Sequence, residues 1–203
     1  MKPVWNPLSI SECDPDPFRQ FRTWFDEAKD VMAEREAIVL ATASLDAHPS
    51  ARYVLLRHVD ERSFGWYSNY LSRKGRELQE NPFASLLWYC EGLGRQIRIE
   101  GHVVSMTSEE SDEYFARRPR GHQIGAHASH QSAPLASREE LEDRVAEIDT
   151  LFEGAAVPRP AHWGGFKLTP NFFEFWQHRE DRLHDRIFYT LESGHWSLAR
   201  HSP

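Results

Sequence analysis

The period of the apolar positions changes several times along the chain, and each change marks an element. Residues 17–32 place apolar side chains at Phe18, Phe21, Trp24/Phe25, Ala28 and Val31/Met32, with charged residues between them. That spacing predicts an amphipathic helix. Short runs rich in β-branched and aromatic residues follow at 37–43, 51–59, 64–68, 84–90 and 96–104. Turn-prone pieces such as Asp46-Ala47-His48-Pro49 and Glu91-Gly92-Leu93-Gly94 separate these runs, which therefore predict strands. Residues 72–80 open on Ser72, are rich in helix formers and stop at Asn81-Pro82, as a short crossover helix would.

The second half changes character. Ser108-Glu109-Glu110 predicts a helix through 114–117, with serine as the cap, early acids facing the helix dipole and Pro119 ending it. Ser137-Arg138-Glu139-Glu140 reads as a capping box, and apolar residues follow at Leu141, Val145, Ile148 and Leu151/Phe152. The Gly/Ala/Ser-rich stretch between them is assigned no element. Strand-like runs return at 166–168, 172–176, 187–189 and 196–198, after a proline-rich link at 157–160. Many short, mostly antiparallel strands with a few inserted helices predict a β-barrel of the α+β class. The first strands follow one another without helices between them, which argues against a doubly wound parallel sheet. Residues 1–16 read as an N-terminal arm without a charged-then-apolar leader, and 17–203 as one domain.

Composition narrows the function. With 12 Phe, 7 Trp and 6 Tyr, bulky rings must be buried or stacked on a ligand. Mean hydropathy is -0.64 and no apolar run approaches bilayer length, so no membrane partner is expected. The net charge of -7, from 31 acids against 24 bases, argues against nucleic-acid binding but leaves room for a local basic pocket. Cys13 and Cys90 lack metal spacing and fit a reducing cytoplasm. His122, His127 and His130 have no carboxylate or thiolate partner set, so no metal is expected. Phosphate-loop, dinucleotide, HExxH and GxSxG motifs are absent from the sequence.

What remains is a set of arginine-bearing segments. Strand alternation from Arg52 to Arg57 puts Arg52, Val54 and Leu56 on one face and Tyr53, Leu55 and Arg57 on the other. Tyr67-Ser68 ends the next strand, and Ser72-Arg73-Lys74 opens a helix. Helix-start amides with a hydroxyl and two cations beside them suit a phosphate, although the triplet alone also reads as a solvated cap. Arg95-Gln96 and Gln131-Ser132 offer amides and a hydroxyl to a polar ligand edge. Residues 182–186 gather two guanidiniums, an imidazole and a carboxylate behind an aromatic strand.

Together and in this order, these segments resemble the pyridoxamine 5'-phosphate oxidase family. The matching pieces are 52–57, Tyr67-Ser68, Ser72-Arg73-Lys74, Arg95-Gln96, 114–120, Gln131-Ser132, Trp163-Gly164-Gly165, Glu174-Phe175-Trp176 and 182–186. Each is unspecific alone; the ordered set is specific, above all Glu-Phe-Trp-Gln followed by Arg-Leu-His-Asp-Arg. The resemblance implies a mainly β split β-barrel with inserted helices, and a homodimer with FMN at the subunit interface. It implies that Arg52, Arg57, Tyr67, Ser68, Arg73, Lys74, Gln96, Gln131, Ser132, Trp176 and Arg186 hold FMN. The phosphate falls to Arg52, Ser68, Arg73, Lys74 and Ser132, and the ring to the others.

The resemblance also implies a small phosphorylated pyridine substrate, its phosphate met by Tyr114, Arg118 and His122. Arg182, Leu183 and His184 would lie over the pyridine ring, with Arg57 also in contact. The implied reaction turns pyridoxamine or pyridoxine 5'-phosphate into pyridoxal 5'-phosphate while O2 becomes H2O2. Arg182 would steady the developing charge and His184 would orient the amine or alcohol. The family usually has Lys where this chain has Arg57, and a small hydroxyl residue where it has His122. Phenazine-pathway oxidases share the barrel and the FMN site, but the retained Tyr114 and Arg118 favour vitamin B6 substrates. A non-catalytic flavin-binding split barrel is the remaining alternative.

Overall fold

The structure, a computed structural model, describes residues 6–203; the first five residues of the expected arm lie outside the described residues. Helix α1 (Pro17–Glu27) starts where the Asp16 carboxylate accepts from the Phe18 amide and Pro17 fills the first helical position. It is shorter than the apolar pattern predicts, because Ala28–Asp30 tightens into a 3-10 turn. Arg35 donates to the Phe25 carbonyl near the end of α1 (3.1 Å), satisfying a group the helix leaves unpaired. The buried side of α1 stacks Phe18 on Phe64 (5.4 Å between centroids) and sets Trp24 edge-on to Phe175 (5.2 Å).

Nine strands form one antiparallel sheet: β1 (Ala37–Ala43), β2 (Pro49–Leu55), β3 (His58–Val59), β4 (Phe64–Asn69), β5 (Phe83–Cys90), β6 (Arg95–Ser105), β7 (Trp163–Gln177), β8 (Asp185–Glu192) and β9 (His195–His201). The order is β2-β1-β5-β6-β7-β4-β3, with β8 on β7 and β9 on β8. The run expected at 51–59 is two strands. After Leu55 the chain leaves β1, and the Arg57 amide donates to Gly65 on β4 (2.8 Å).

The runs expected at 166–168 and 172–176 are instead one strand, β7. Its first part, Trp163–Leu168, pairs with β4; its last part, Phe172–Gln177, pairs with β8. Strand β6 lines the other edge from Phe166 to Gln177, with a register shift that leaves Asn171 unpaired between Phe172, opposite Glu100, and Pro170, opposite Gly101. A proline has no N–H to give a ladder, so the bulge lets the strand continue through it. Trp66, Trp88, Phe64, Phe173 and Phe175 are completely buried in the core that the sheet and α1 enclose.

Helix α2 (Arg73–Glu80) begins at Ser72 as expected, the hydroxyl accepting from the Gly75 amide. Helix α3 (Ser108–Ala116) is capped by Thr107 rather than Ser108, and a reciprocal bond to Glu110 completes its capping box. Helix α4 (Arg120–Ala128) occupies the stretch assigned no element. Its two glycines and missing side-chain cap hide it; tertiary contacts hold it. Gln123 donates to the Phe115 carbonyl (2.8 Å), and Arg120 donates to the Phe152 carbonyl (3.0 Å) near the end of α5 (Arg138–Leu151). In α5 only half of the expected box forms: Ser137 caps Glu140, while the Glu140 carboxylate accepts from Ala136.

The bulge generates a prediction. A Cβ at Gly101 would lie 2.2 Å from the Thr169 carbonyl oxygen and 2.7 Å from Pro170 Cα, both backbone atoms. Gly101→Ala should cost roughly 1–3 kcal/mol in urea unfolding, as overpacked sites do. An unchanged midpoint would show that β6 and β7 part freely there.

Candidate active site

Two groups of residues flank the end of β4, one polar and one aromatic. The first gathers at the start of α2. The Lys74 ammonium donates to Gln131 Oε1 (2.7 Å), Ser68 Oγ (3.0 Å) and Ser72 Oγ (3.2 Å). The Arg73 amide donates to Ser132 Oγ (3.2 Å), and Ser132 holds a left-handed φ of 70° that few non-glycine residues adopt. Burial first, and then Arg52, push the Lys74 pKa down to about 8. Arg52 donates to Thr42 Oγ1 (2.6 Å) and the Leu40 carbonyl (3.2 Å), and bonds to Ser50.

Beneath this cluster lies Glu77, which the sequence reading missed. Its carboxylate accepts from Arg73 Nε (2.8 Å), Ser50 Oγ (2.6 Å) and the Thr42 hydroxyl, with Arg52 Nη2 at 3.4 Å. Burial would raise its pKa, but the bonds from Ser50, Thr42 and Arg73 outweigh it and hold the group at about 2. Its one sequence signal is the four-residue spacing from Arg73, which places both on one side of α2.

The second group is aromatic. Tyr67 stacks on Tyr114 (3.7 Å between centroids, 5° between planes) and on Trp163 (5.4 Å, 8°). The Arg118 guanidinium lies over Trp163, its central carbon 4.5 Å from the ring centroid, and its Nη1 is buried without a hydrogen-bond partner. Tyr70 and Met106, packed beside the stack, account for the two glycines after Trp163. A Cβ at Gly165 would sit 2.3 Å from Met106 Sδ and 3.0 Å from Tyr67 Cε1; one at Gly164 would sit 2.0 Å from the Tyr70 hydroxyl. His122 is exposed in the first turn of α4.

A third group occupies the far end of β7. Gln96, Trp176 and Arg186 are directly opposed on β6, β7 and β8, so their side chains share a sheet face. Buried Glu174 accepts from Arg186 Nε (2.6 Å) and from Arg98 Nη2 (2.9 Å). The His184 ring lies 4.5 Å from Trp176, and its Nδ1 accepts from the Arg179 amide (3.1 Å). Burial, then His178 and Arg182, lower the His184 pKa. Asp181 and Arg182 both hold positive φ values (53° and 61°), a strained turn that leaves Arg182 and Leu183 exposed.

The structure therefore brings Arg52, Ser68, Arg73, Lys74, Gln131 and Ser132 together, and Tyr67 with Tyr114 and Arg118. It places Gln131 among the residues expected for a phosphate rather than for a ring. Arg57 is exposed and has no side-chain partner among the described residues. The third group does not meet the first. Arg52 is opposed through Leu40 and Leu86 to Ile99, on the core face, whereas Gln96, Trp176 and Arg186 occupy the opposite face.

Glu77 should reveal its charge in acid. Its pKa falls from an ordinary 4.5 to about 2 on folding, so its contribution is complete above pH 4.5 and disappears as pH falls toward 2. The stability gap between wild type and Glu77→Gln, read by urea unfolding across that range, should close as pH drops. A constant gap would mean that charge is not what Glu77 contributes.

Family models match most of the chain. Residues 25–152 match pyridoxamine 5'-phosphate oxidase, and residues 163–203 match the pyridoxine 5'-phosphate oxidase C-terminal dimerisation region. The pyridoxine/pyridoxamine 5'-phosphate oxidase of Rubrobacter xylanophilus is 54% identical, over 97% of this chain and 91% of its own. That of Paraburkholderia phytofirmans is 51% identical, over 97% and 93%. The crystal structure of PhzG from Burkholderia lata 383, in complex with tetrahydrophenazine-1-carboxylic acid, superposes with a TM-score of 0.91 at 33% identity, over 98% of this chain and 99% of that one. On these matches the chain belongs to the pyridoxamine 5'-phosphate oxidase family.

Proposed function

We propose that the chain is an FMN-dependent oxidase that converts pyridoxamine or pyridoxine 5'-phosphate to pyridoxal 5'-phosphate, with O2 reduced to H2O2. The observation that carries this reading is a pair of anion sites flanking consecutive residues. Ser68 belongs to the Lys74 cluster, and Tyr67 belongs to the stack that carries the unpartnered Arg118 nitrogen. One site suits the phosphate of a cofactor and the other that of a substrate.

The donor set fits FMN. Arg52, Ser68, Arg73, Lys74, Gln131 and Ser132 would hold its phosphate end; Gln96, Trp176 and Arg186 would meet its ring, with Tyr67 and Arg57 beside it. When bound, FMN supplies the acceptor for the substrate's hydride and passes the electrons on to oxygen. Because the two sets lie on opposite faces of one sheet, a second copy supplying the ring set would complete each site. The match to a dimerisation region supports that homodimer, with FMN at the interface.

The remaining roles belong to the substrate. Tyr114 and Arg118 bind its phosphate, with His122 at the pocket's edge. Arg182 brings a full positive charge to the ring that loses electrons, and Leu183 covers it. His184 accepts the Arg179 amide at Nδ1, so the neutral ring holds its proton at Nε2. It therefore orients the amine or alcohol as a donor. Among the described residues no helix is long and apolar enough to cross a membrane, and Cys13 and Cys90 are free thiols. The thiols support a cytoplasmic setting.

Purification tests the whole reading. The protein should be yellow, release FMN identified by mass, and form peroxide with pyridoxamine or pyridoxine 5'-phosphate. A colourless protein that takes up no FMN would overturn it. Peroxide with reduced phenazine carboxylates alone would move the substrate to that class. Lys74 adds a pH signature. Above its pKa of about 8 the ammonium loses its proton, so FMN affinity should weaken by up to about tenfold per pH unit. Lys74→Met should bind FMN more weakly and without that slope, as read by flavin fluorescence between pH 7 and about 9.5.

A further inference from the structure

The half-buried arginines of this protein are held in two different ways. Arg52 lies against Glu77, Arg98 and Arg186 share Glu174, and Arg159 pairs with Asp112 (2.6 Å). Arg118 pairs with no carboxylate among the described residues. Its neighbours are rings: Trp163 at 4.5 Å and Phe115 at 5.5 Å from its central carbon. Burial lowers its pKa, yet a guanidinium stays charged in a protein. A buried cation with a vacant donor is costly unless an anion arrives.

We propose that Trp163 is a positioning residue for the substrate phosphate, its indole face holding the Arg118 guanidinium where a carboxylate would otherwise stand. This deepens the proposed function and rests on its reading of Arg118 as a phosphate ligand. A carboxylate partner would fix the side chain but neutralise it, and would repel an incoming phosphate. An aromatic face attracts the cation while leaving its N–H edge and its charge for the anion.

The surroundings fix the indole itself. Trp163 is 6% exposed and lies within 11° of the planes of Tyr67 and Tyr114; the edge of Phe115 abuts it at 5.1 Å. Its carbonyl accepts from Arg159 (2.7 Å), whose other contact is Asp112 on α3. The indole, Tyr114 and Arg118 are thereby tied to one helix and one strand end. The Arg118 side chain is held between them rather than left to search.

The test uses FMN-loaded wild type, Trp163→Leu and Trp163→Phe. Calorimetry measures binding of 4-deoxypyridoxine 5'-phosphate, which has no oxidisable C4' group, and of its unphosphorylated form. Wild type should prefer the phosphorylated probe, and Trp163→Leu should lose about tenfold of that preference, in line with a desolvated cation–π contact. Affinity for the unphosphorylated probe should hold, and KM for pyridoxine 5'-phosphate should rise with kcat little changed. Trp163→Phe, keeping a smaller ring, should lose about threefold, and it decides alone if the leucine variant does not fold. An unaltered preference, or equal loss for both probes, overturns the role of Trp163. A wild type indifferent to the phosphate would instead overturn the phosphate reading, and this inference with it.

Discussion

Strand β7 must hydrogen-bond along both edges to three different strands, and the architecture follows from that constraint. One edge belongs to β6 from Phe166 to Gln177; the other is divided between β4 and β8. A straight strand would continue one flat sheet. The bulge at Asn171 of β7, between Glu100 and Gly101 of β6, bends the pair and lets the sheet fork. Trp163 and Trp176 stand near the two ends of β7, so the same backbone positions the ring stack proposed to face the substrate and the face expected to meet a flavin ring.

Two buried carboxylates organise the cations around this strand and its neighbours. Glu77 orients Arg52 and Arg73 from below the α2 cluster, and Glu174 orients Arg98 and Arg186 on the outer face. At Glu77 one acid serves two guanidiniums, so geometry is fixed while net positive charge remains; on the outer face Glu100 also pairs with Arg98, and the charges there balance. The Glu77 cluster is how a chain with a net charge of -7 still presents a basic patch. The local arrangement, rather than the total, sets the potential that a phosphate meets.

Much of this was legible in the sequence. The strand runs at 37–43 and 84–90, the Ser72 cap and the α1 amphipathic pattern depend on local chemistry, and each appears within a few residues of its expected place. Helix α4 was not legible, because Gly121 and Gly125 weaken the local signal and contacts from distant residues hold it. The continuity of β7 was hidden by Pro170, whose accommodation depends on a glycine in another strand. Among site residues, the Ser72-Arg73-Lys74 triplet suited a phosphate but read equally as a solvated cap, and only its place in the ordered set of segments favoured the first. Glu77 did not stand out, since a glutamate on a polar helix looks solvated until the fold closes over it. The division of the site between two faces could be read only from the strand register.

The glycine pair beside Trp163 has a consequence for how this pocket can diversify. A side chain at Gly164 would strike the Tyr70 hydroxyl and one at Gly165 would strike Met106, with Tyr67 in tight contact, so those side chains would have to shift. Substitution beside Trp163 therefore requires Tyr70 or Met106 to move, and with them the packing beneath the ring stack. His122 stands on an exposed helical turn with room around it. Evolutionary drift toward a new substrate therefore has a rigid side and a permissive side. Change can accumulate along the rim carried by α4 while the aromatic base stays as it is.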